Sequence, residues 1–160
     1  MSLTGFWTLT EREVIRILRI WQQTIVPPMI TSILFILIFG YSLGSRITDI
    51  GGVSYLQFIL PGLLMMGVIM SAYSNTSFSL YIAKFQGSIQ ELMVSPMSYW
   101  EIIFAITMGG VFRGMLVGLG ILVVGILFAH VTIHSIFIFL FFILMGSLLF
   151  SFAGIATALW

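Results

Sequence analysis

Apolar residues come in four long runs separated by short polar breaks, and a segment in which apolar and charged positions recur at helical spacing precedes them. A helix needs about 20 apolar residues to cross a bilayer core. The runs predict membrane spans over 28–43, 56–80, 102–128 and 136–158. Pro27 and Pro28 stand at the start of the first, where a missing N–H costs nothing. Pro61 falls inside the second and predicts a kink. The leading segment, 10–26, predicts an amphipathic helix with Arg12, Arg16, Arg19 and Gln23 on one face and Val14, Ile17, Leu18, Trp21 and Ile25 on the other. Thr10 followed three residues later by Glu13 reads as a capping box, and the proline pair reads as the stop. A basic face opposite an apolar face with a tryptophan suits a helix lying in the membrane surface. A plain cytoplasmic extension of the first span is the other reading. The expected fold is all-α: one interfacial helix, then about four transmembrane helices.

Composition strengthens this picture. The chain is 60% hydrophobic and 7% charged, whereas soluble domains carry roughly a quarter charged residues. A net charge of +1 is too small to point to nucleic acid. Without cysteine there are no disulfides and no thiolate metal sites. The first ten residues lack the basic start, apolar core and cleavage site of a signal peptide, so insertion is expected to rely on the spans. Trp160 ends the sequence without the polar tail that usually follows a last span. The expectation is a single transmembrane domain over 1–160 that is incomplete. Arg12, Arg16, Arg19 and Lys84 fall on one side of the spans and Arg46 on the other. The positive-inside rule then places the N-terminus and the 81–100 connection in the cytoplasm.

The 81–100 connection is the most informative polar stretch. Ser88 and Glu91 make a capping box just after Gly87, predicting a short helix over 88–95 that ends at Ser95-Pro96. The six residues from Ile89 to Val94 span about 9 Å of helix. Ser95 before Pro96, and Ser98 with Glu101, both offer a start for the next span. Ile89, Leu92 and Met93 would be exposed apolar residues in need of a partner, either the membrane surface and neighbouring helices or another protein.

Arg113 lies about ten residues into the third span, or about 15 Å along it. An arginine near the bilayer centre costs about 3 kcal/mol on insertion scales, so it must face the bundle interior or water. It serves either as a structural cap on another helix or as an anchor for an anionic substrate group. Gly110, Gly114 and Gly118 surround it at four-residue spacing, and Ser147, Ser151, Gly154 and Ala158 make a similar stripe on the fourth span. Such stripes let helix backbones approach closely, within the chain or between two copies. The second half of span two is polar, with Ser71, Tyr73, Ser74, Asn75, Thr76, Ser77 and Ser79. These groups either bond between helices or line a hydrated route with Arg113.

Several chemistries fall away. Lys84 is the one lysine and is followed by Phe85, so there is no phosphate-binding P-loop and the chain is not expected to be an enzyme. His130 and His134 have metal-like spacing but no third ligand, and read as a polar turn. Asp49, Glu91 and Glu101 all fall outside the spans, which disfavours proton-driven transport.

The residues also resemble a known family. The stretch RIWQQTIVPPMITSILFILIFGYSLGSRI (19–47) is similar to the surface helix and first span of the permease subunit of bacterial type-2 ABC exporters. YLQFILPGLLMM (55–66) resembles their second span, AKFQGSIQELMVSPMS (83–98) their cytoplasmic loop, and GGVFRGMLVG (109–118) their third span. The resemblance implies a permease working as a homodimer with two ATPase subunits, which hold the ATP and Mg; this chain itself holds no cofactor. It implies a coupling helix at Ser88, Ile89, Gln90, Glu91, Leu92 and Met93, seated in the ATPase. It implies that Arg12, Arg16 and Arg19 lie near the ATPase, and that the protein exports polysaccharides, lipid-linked sugars or drugs across the inner membrane. Members of that family have six spans rather than about four. Two other classes stay open: a membrane scaffold subunit that uses its glycine stripes, and a secondary transporter, which the missing buried acids and inverted repeats disfavour.

Overall fold

The computed structural model describes residues 3–39, 49–50, 53–95, 97–129 and 135–160. Helical spacing of apolar residues gives α1 (Leu3–Arg19), α2 (Trp21–Thr24), α3 (Val26–Leu37), α4 (Tyr55–Phe85), α5 (Ser88–Val94), α6 (Tyr99–Ala129) and α7 (Ile136–Leu159). Between α3 and α4, β1 (Asp49–Ile50) and β2 (Val53–Ser54) pair antiparallel, with Asp49 opposite Ser54. Gly40–Leu43, Arg46, Pro96, His130 and His134 lie outside the described residues, as do the side chains of Glu91, Leu92 and Met93.

Helices α4, α6 and α7 are each long and apolar enough to cross a bilayer. The α1 segment and the following Trp21–Leu37 pass the same test together, bent by 81°, which makes up to four spans among the described residues. The chain is an all-α polytopic membrane protein. α4 and α6 have 31 residues each, or about 46 Å of helix. A hydrocarbon core of about 30 Å leaves their ends in the headgroup region or tilts them.

α4, α6 and α7 pack against one another, with α3 and α1 laid on α6. α4 buries Leu60, Leu64, Val68, Ala72, Thr76 and Leu80, one residue in four. In the middle of the bundle, Leu64 and Val68 meet Val117, Ile121, Leu122 and Ile143. Towards β2, Leu60 and Val124 meet Ile36 of α3. At the other end, Leu80, Ile106 and Ile155 form a third group.

The small-residue stripes set how close these helices come. A Cβ at Gly114 would fall 2.5 Å from Ser147 Oγ and 3.4 Å from Ala72 Cβ. One at Gly110 would meet Ser151, Thr76 and, at 3.2 Å, the carbonyl of Ala72. Gly118 faces Val68 and Ile143, and Gly154 faces Tyr73 and Thr76. Gly110, Gly114 and Gly118 of α6 therefore face α4 and α7 of the same chain.

Two expectations about the N-terminus need correction. The first helix starts at Leu3, not near Thr10, so Thr10 lies inside it and donates its hydroxyl to the Phe6 carbonyl at 2.9 Å rather than capping. It ends at Arg19, and the chain resets at Ile20, whose carbonyl accepts from the N–H groups of Gln23 and Thr24. The break thus precedes the proline pair, which instead occupies the first turn of α3, where proline lacks only an N–H with no helical partner. Pro61 lies inside α4, which continues through it.

Gly114→Leu is expected to destabilise the folded bundle by about 1–3 kcal/mol or more through overpacking. Gly62→Ala, with no atom within 4 Å of the new Cβ, is expected to be neutral. Thermal unfolding in detergent, followed by circular dichroism and size-exclusion profile, measures both.

Candidate functional site

The connection between α4 and α6 is a built structure. α4 ends with Gln86 N–H on the Ile82 carbonyl at 2.9 Å, and Gly87 turns the chain at φ +74°. A left-handed residue there favours glycine because it has no Cβ to clash. The Gly87 carbonyl then accepts the Gln90 N–H at 3.1 Å and opens α5. Ser88 is therefore the first residue of α5, not its cap, and its hydroxyl turns back to the Ala83 carbonyl at 3.4 Å. At the far end, the Ser98 N–H donates to Glu101 Oε2 at 2.9 Å, half of a capping box. Because α6 starts at Tyr99, Ser98 and not Ser95 holds the capping position. A carboxylate in that first turn also meets the positive end of the helix dipole.

α5 is seated on the bundle by Ile89, which packs against the Leu80, Ile106 and Ile155 group. An apolar cavity of about 200 Å³ lies beside it, lined by Ile89, Ile103 and Leu159 among others. Ile89 thus has a partner within the chain. Gln90 is exposed, and Val94 is 86% exposed. Phe85, Tyr99 and Trp100 are exposed around the same connection. Lys84 Nζ donates to the carbonyls of Ala158 and Leu159, tying the end of α4 to the end of α7.

The second part of the site joins α1 to α4 and α6. Leu9, Glu13 and Ile17, spaced by four, are the buried face of α1, and Glu13 is only 4% exposed. Arg16 Nη2 lies 2.7 Å from Glu13 Oε2. This is an ion pair by distance, without the alignment of a hydrogen bond. Ser79 donates to Glu13 Oε1 at 3.0 Å. Arg16 also donates to Ser79 Oγ at 3.1 Å and Asn75 Oδ1 at 3.3 Å. A Cβ at Gly109 would lie 2.9 Å from Glu13 Cβ. Arg12 and Arg19 stay exposed, and Arg12, Arg16, Gln86 and Ser88 line a cleft of about 240 Å³ between α1 and the start of α5. The expected basic face is therefore divided, because Arg16 turns inward to α4.

The Thr10–Glu13 spacing suggests a capping role for Glu13, whereas the structure makes it a buried acid. Its place in the Leu9–Glu13–Ile17 series was the available signal. Glu101, in the first turn of α6, is buried as well, so the expectation that buried acids are missing does not hold.

Arg113 lies near the middle of α6, one turn beyond Gly109. Its Nε and the Asn75 Nδ2 are buried without a hydrogen-bond partner among the described residues. Ser71 is buried and Ser74 half-buried on α4. Thr76 bonds back to the Ala72 and Tyr73 carbonyls of its own helix, and Ser77 donates across to the Gly154 carbonyl at 3.1 Å.

Residues 4–160 match the family described as ABC-2 type transporter. The chain belongs to the ABC-2 type transporter family. This ABC-2 chain is 43% identical over 155 residues to the inner membrane transport permease YadH of Escherichia coli K12. It shows the same identity to YadH of Escherichia coli O157:H7 and of Shigella flexneri. Each match covers 97% of this chain and 59% of the relative. The ABC-2 chain therefore spans less than two thirds of the length of these relatives. No solved structure matches it.

Gly87→Ala in this ABC-2 chain is expected to cost about 1–2 kcal/mol, the penalty of a Cβ in the left-handed region. Gly87→Asn should lose less, since asparagine visits that region more readily. Comparing melting temperatures of the two variants in detergent checks the order.

Proposed function

We propose that the chain acts as the permease subunit of an ATP-driven exporter in a bacterial inner membrane. The observation that carries this is α5, a short helix opened by the Gly87 turn and packed through Ile89 onto the bundle between its two longest helices. A rigid insert of that kind can convert a push from outside the membrane into movement of α4 and α6, which a slack linker cannot. Family membership supports the reading, as does the description of the curated relatives as inner membrane transport permeases. On this reading Ser88, Ile89, Gln90, Glu91, Leu92 and Met93 make the coupling helix. Arg12, Arg16 and Arg19 lie near a separate ATPase subunit, which holds ATP and Mg. A second copy of the permease completes the transporter. Arg113, Ser71, Ser74 and Asn75 belong to the route taken by a polysaccharide, lipid-linked or drug-like substrate. The N-terminus and α5 face the cytoplasm.

Co-purification with the ATPase subunit encoded beside the permease gene tests the core of this proposal. A stoichiometric complex is expected, lost or weakened at least tenfold in Glu91→Lys, a change of about 1.4 kcal/mol or more. A complex indifferent to Glu91→Lys would remove the coupling helix from α5. No complex at all would favour a scaffold role. Orientation is tested separately with single cysteines in the cysteine-free chain. Ser54→Cys and Gln86→Cys, at opposite ends of α4, should react with membrane-impermeant maleimide from opposite sides. Labelling of both from one side would overturn the topology.

A further inference from the structure

We infer that Glu13 is a positioning residue, the joint through which displacement of α1 is delivered to α4 and α6. The delivery step rests on the exporter reading above; the joint itself does not. α1 turns into the following segment through an 81° bend at Ile20, so it resembles a lever attached at one end to α3. Seven residues before that bend, or about 10 Å along the helix, Glu13 is buried between two apolar residues of the same face. A carboxylate in such a place must be compensated. Arg16 compensates its charge from within α1, and Ser79 of α4 supplies a hydrogen bond. An i,i+3 pair on one helix would not by itself fasten anything to a neighbour. Here Arg16 extends past Glu13 to Asn75 and Ser79, so both members of the pair take partners on α4. α6 contributes the space: Gly109 faces Glu13 so closely that any side chain there would force α1 outward. Three helices thus meet at one acid. Apolar contacts alone would hold α1 without fixing its register, because they are non-directional. The Glu13 and Arg16 bonds fix it to one turn of α4, the helix that leads into α5.

The test uses the full chain in nanodiscs, with spin labels on introduced cysteines; the parent has none. Glu11→Cys and Gln86→Cys, both exposed, report the distance between α1 and α4. Phe78→Cys and Phe152→Cys, also exposed, report α4 against α7. The parent should give one narrow Glu11–Gln86 distance. Glu13→Ala and Arg16→Ala should each broaden or lengthen it, the double variant no more than either single one, since the two act as a unit. The Phe78–Phe152 distance should stay unchanged, showing an intact bundle. Glu13→Gln, which still accepts from Ser79 without the charge, should be intermediate, and it decides the matter where Glu13→Ala disturbs the bundle. An unchanged Glu11–Gln86 distance in these variants would overturn the joint.

Delivery is read in the complex with the ATPase subunit, using ATP with orthovanadate and labels at Leu34→Cys on α3 and Phe78→Cys on α4. The distance should shift in the parent and fail to shift in Glu13→Ala although the ATPase still binds. An equal shift in both would overturn delivery through Glu13. A parent that binds no ATPase overturns the exporter reading and the delivery step with it, while the nucleotide-free distances still decide the joint.

Discussion

How closely α6 can approach its neighbours is the constraint on which the rest of the structure depends. Lipid tails are as apolar as leucine, so helices in a bilayer gain little from hiding apolar surface against each other. Their association relies on dispersion between well-fitted surfaces and on polar contacts. Dispersion falls off steeply with separation, which makes a missing side chain at the crossing more useful than a large one. Gly109, Gly110, Gly114 and Gly118 leave one side of α6 nearly bare, and each faces a different neighbour: Glu13 of α1, Ser151 and Thr76, Ser147, and Val68 with Ile143. Phe137, Phe141 and Leu149 of α7 lie outside this contact and stay exposed.

That closeness decides what the polar residues of α4 can do. A serine or threonine in a bilayer needs an acceptor. In a loosely packed bundle it would find only its own helix, as Ser147 does with the Ile143 carbonyl at 2.7 Å. Because Gly154 brings the α7 backbone against α4, the Ser77 hydroxyl can cross to the Gly154 carbonyl. One face of α4 thereby ties it to α7, while Asn75 and Ser79 tie it to α1. The hydroxyl-rich half of α4 is a junction between two neighbours, with Asn75 already committed through its oxygen to Arg16.

The long helices α4, α6 and α7 were legible because long apolar runs carry their own signal, and the α6 glycines were legible through their spacing. Which helix they face was not, because a four-residue period describes one surface and says nothing of the surface opposite. The start of α1 was misread for a local reason. Thr10 and Glu13 have the spacing of a capping box, and that spacing also occurs by chance inside a helix, where a threonine bonds back to the preceding turn. Phe6, Leu9, Glu13 and Ile17 recur at helical spacing and would have carried the helix back past Thr10. At α5 the same pattern misled again: Ser88 and Glu91 suggested a serine cap, whereas Gly87 takes the cap position because the chain must turn there through a positive φ. At Ser98 and Glu101 the pattern did mark a real start.

The buried Glu13 is where stability and specificity part company. Burying an ion pair seldom gains much over a well-packed apolar pair, because desolvation offsets the attraction, yet removing one partner costs about 3–5 kcal/mol when the pair is fully buried. Arg16 remains 35% exposed, which softens that cost. An apolar residue at position 13 would serve simple adhesion at least as well. What it would not supply is a unique register, since Leu9 and Ile17 alone would tolerate a slide along α6. The Glu13–Arg16 pair, tied to Ser79 and Asn75, penalises every other register by taking both groups away from their α4 hydrogen-bond partners. Glu13 therefore does little to make α1 stick and much to determine where it sticks, which is the property a helix needs if its movement is to be passed on rather than absorbed.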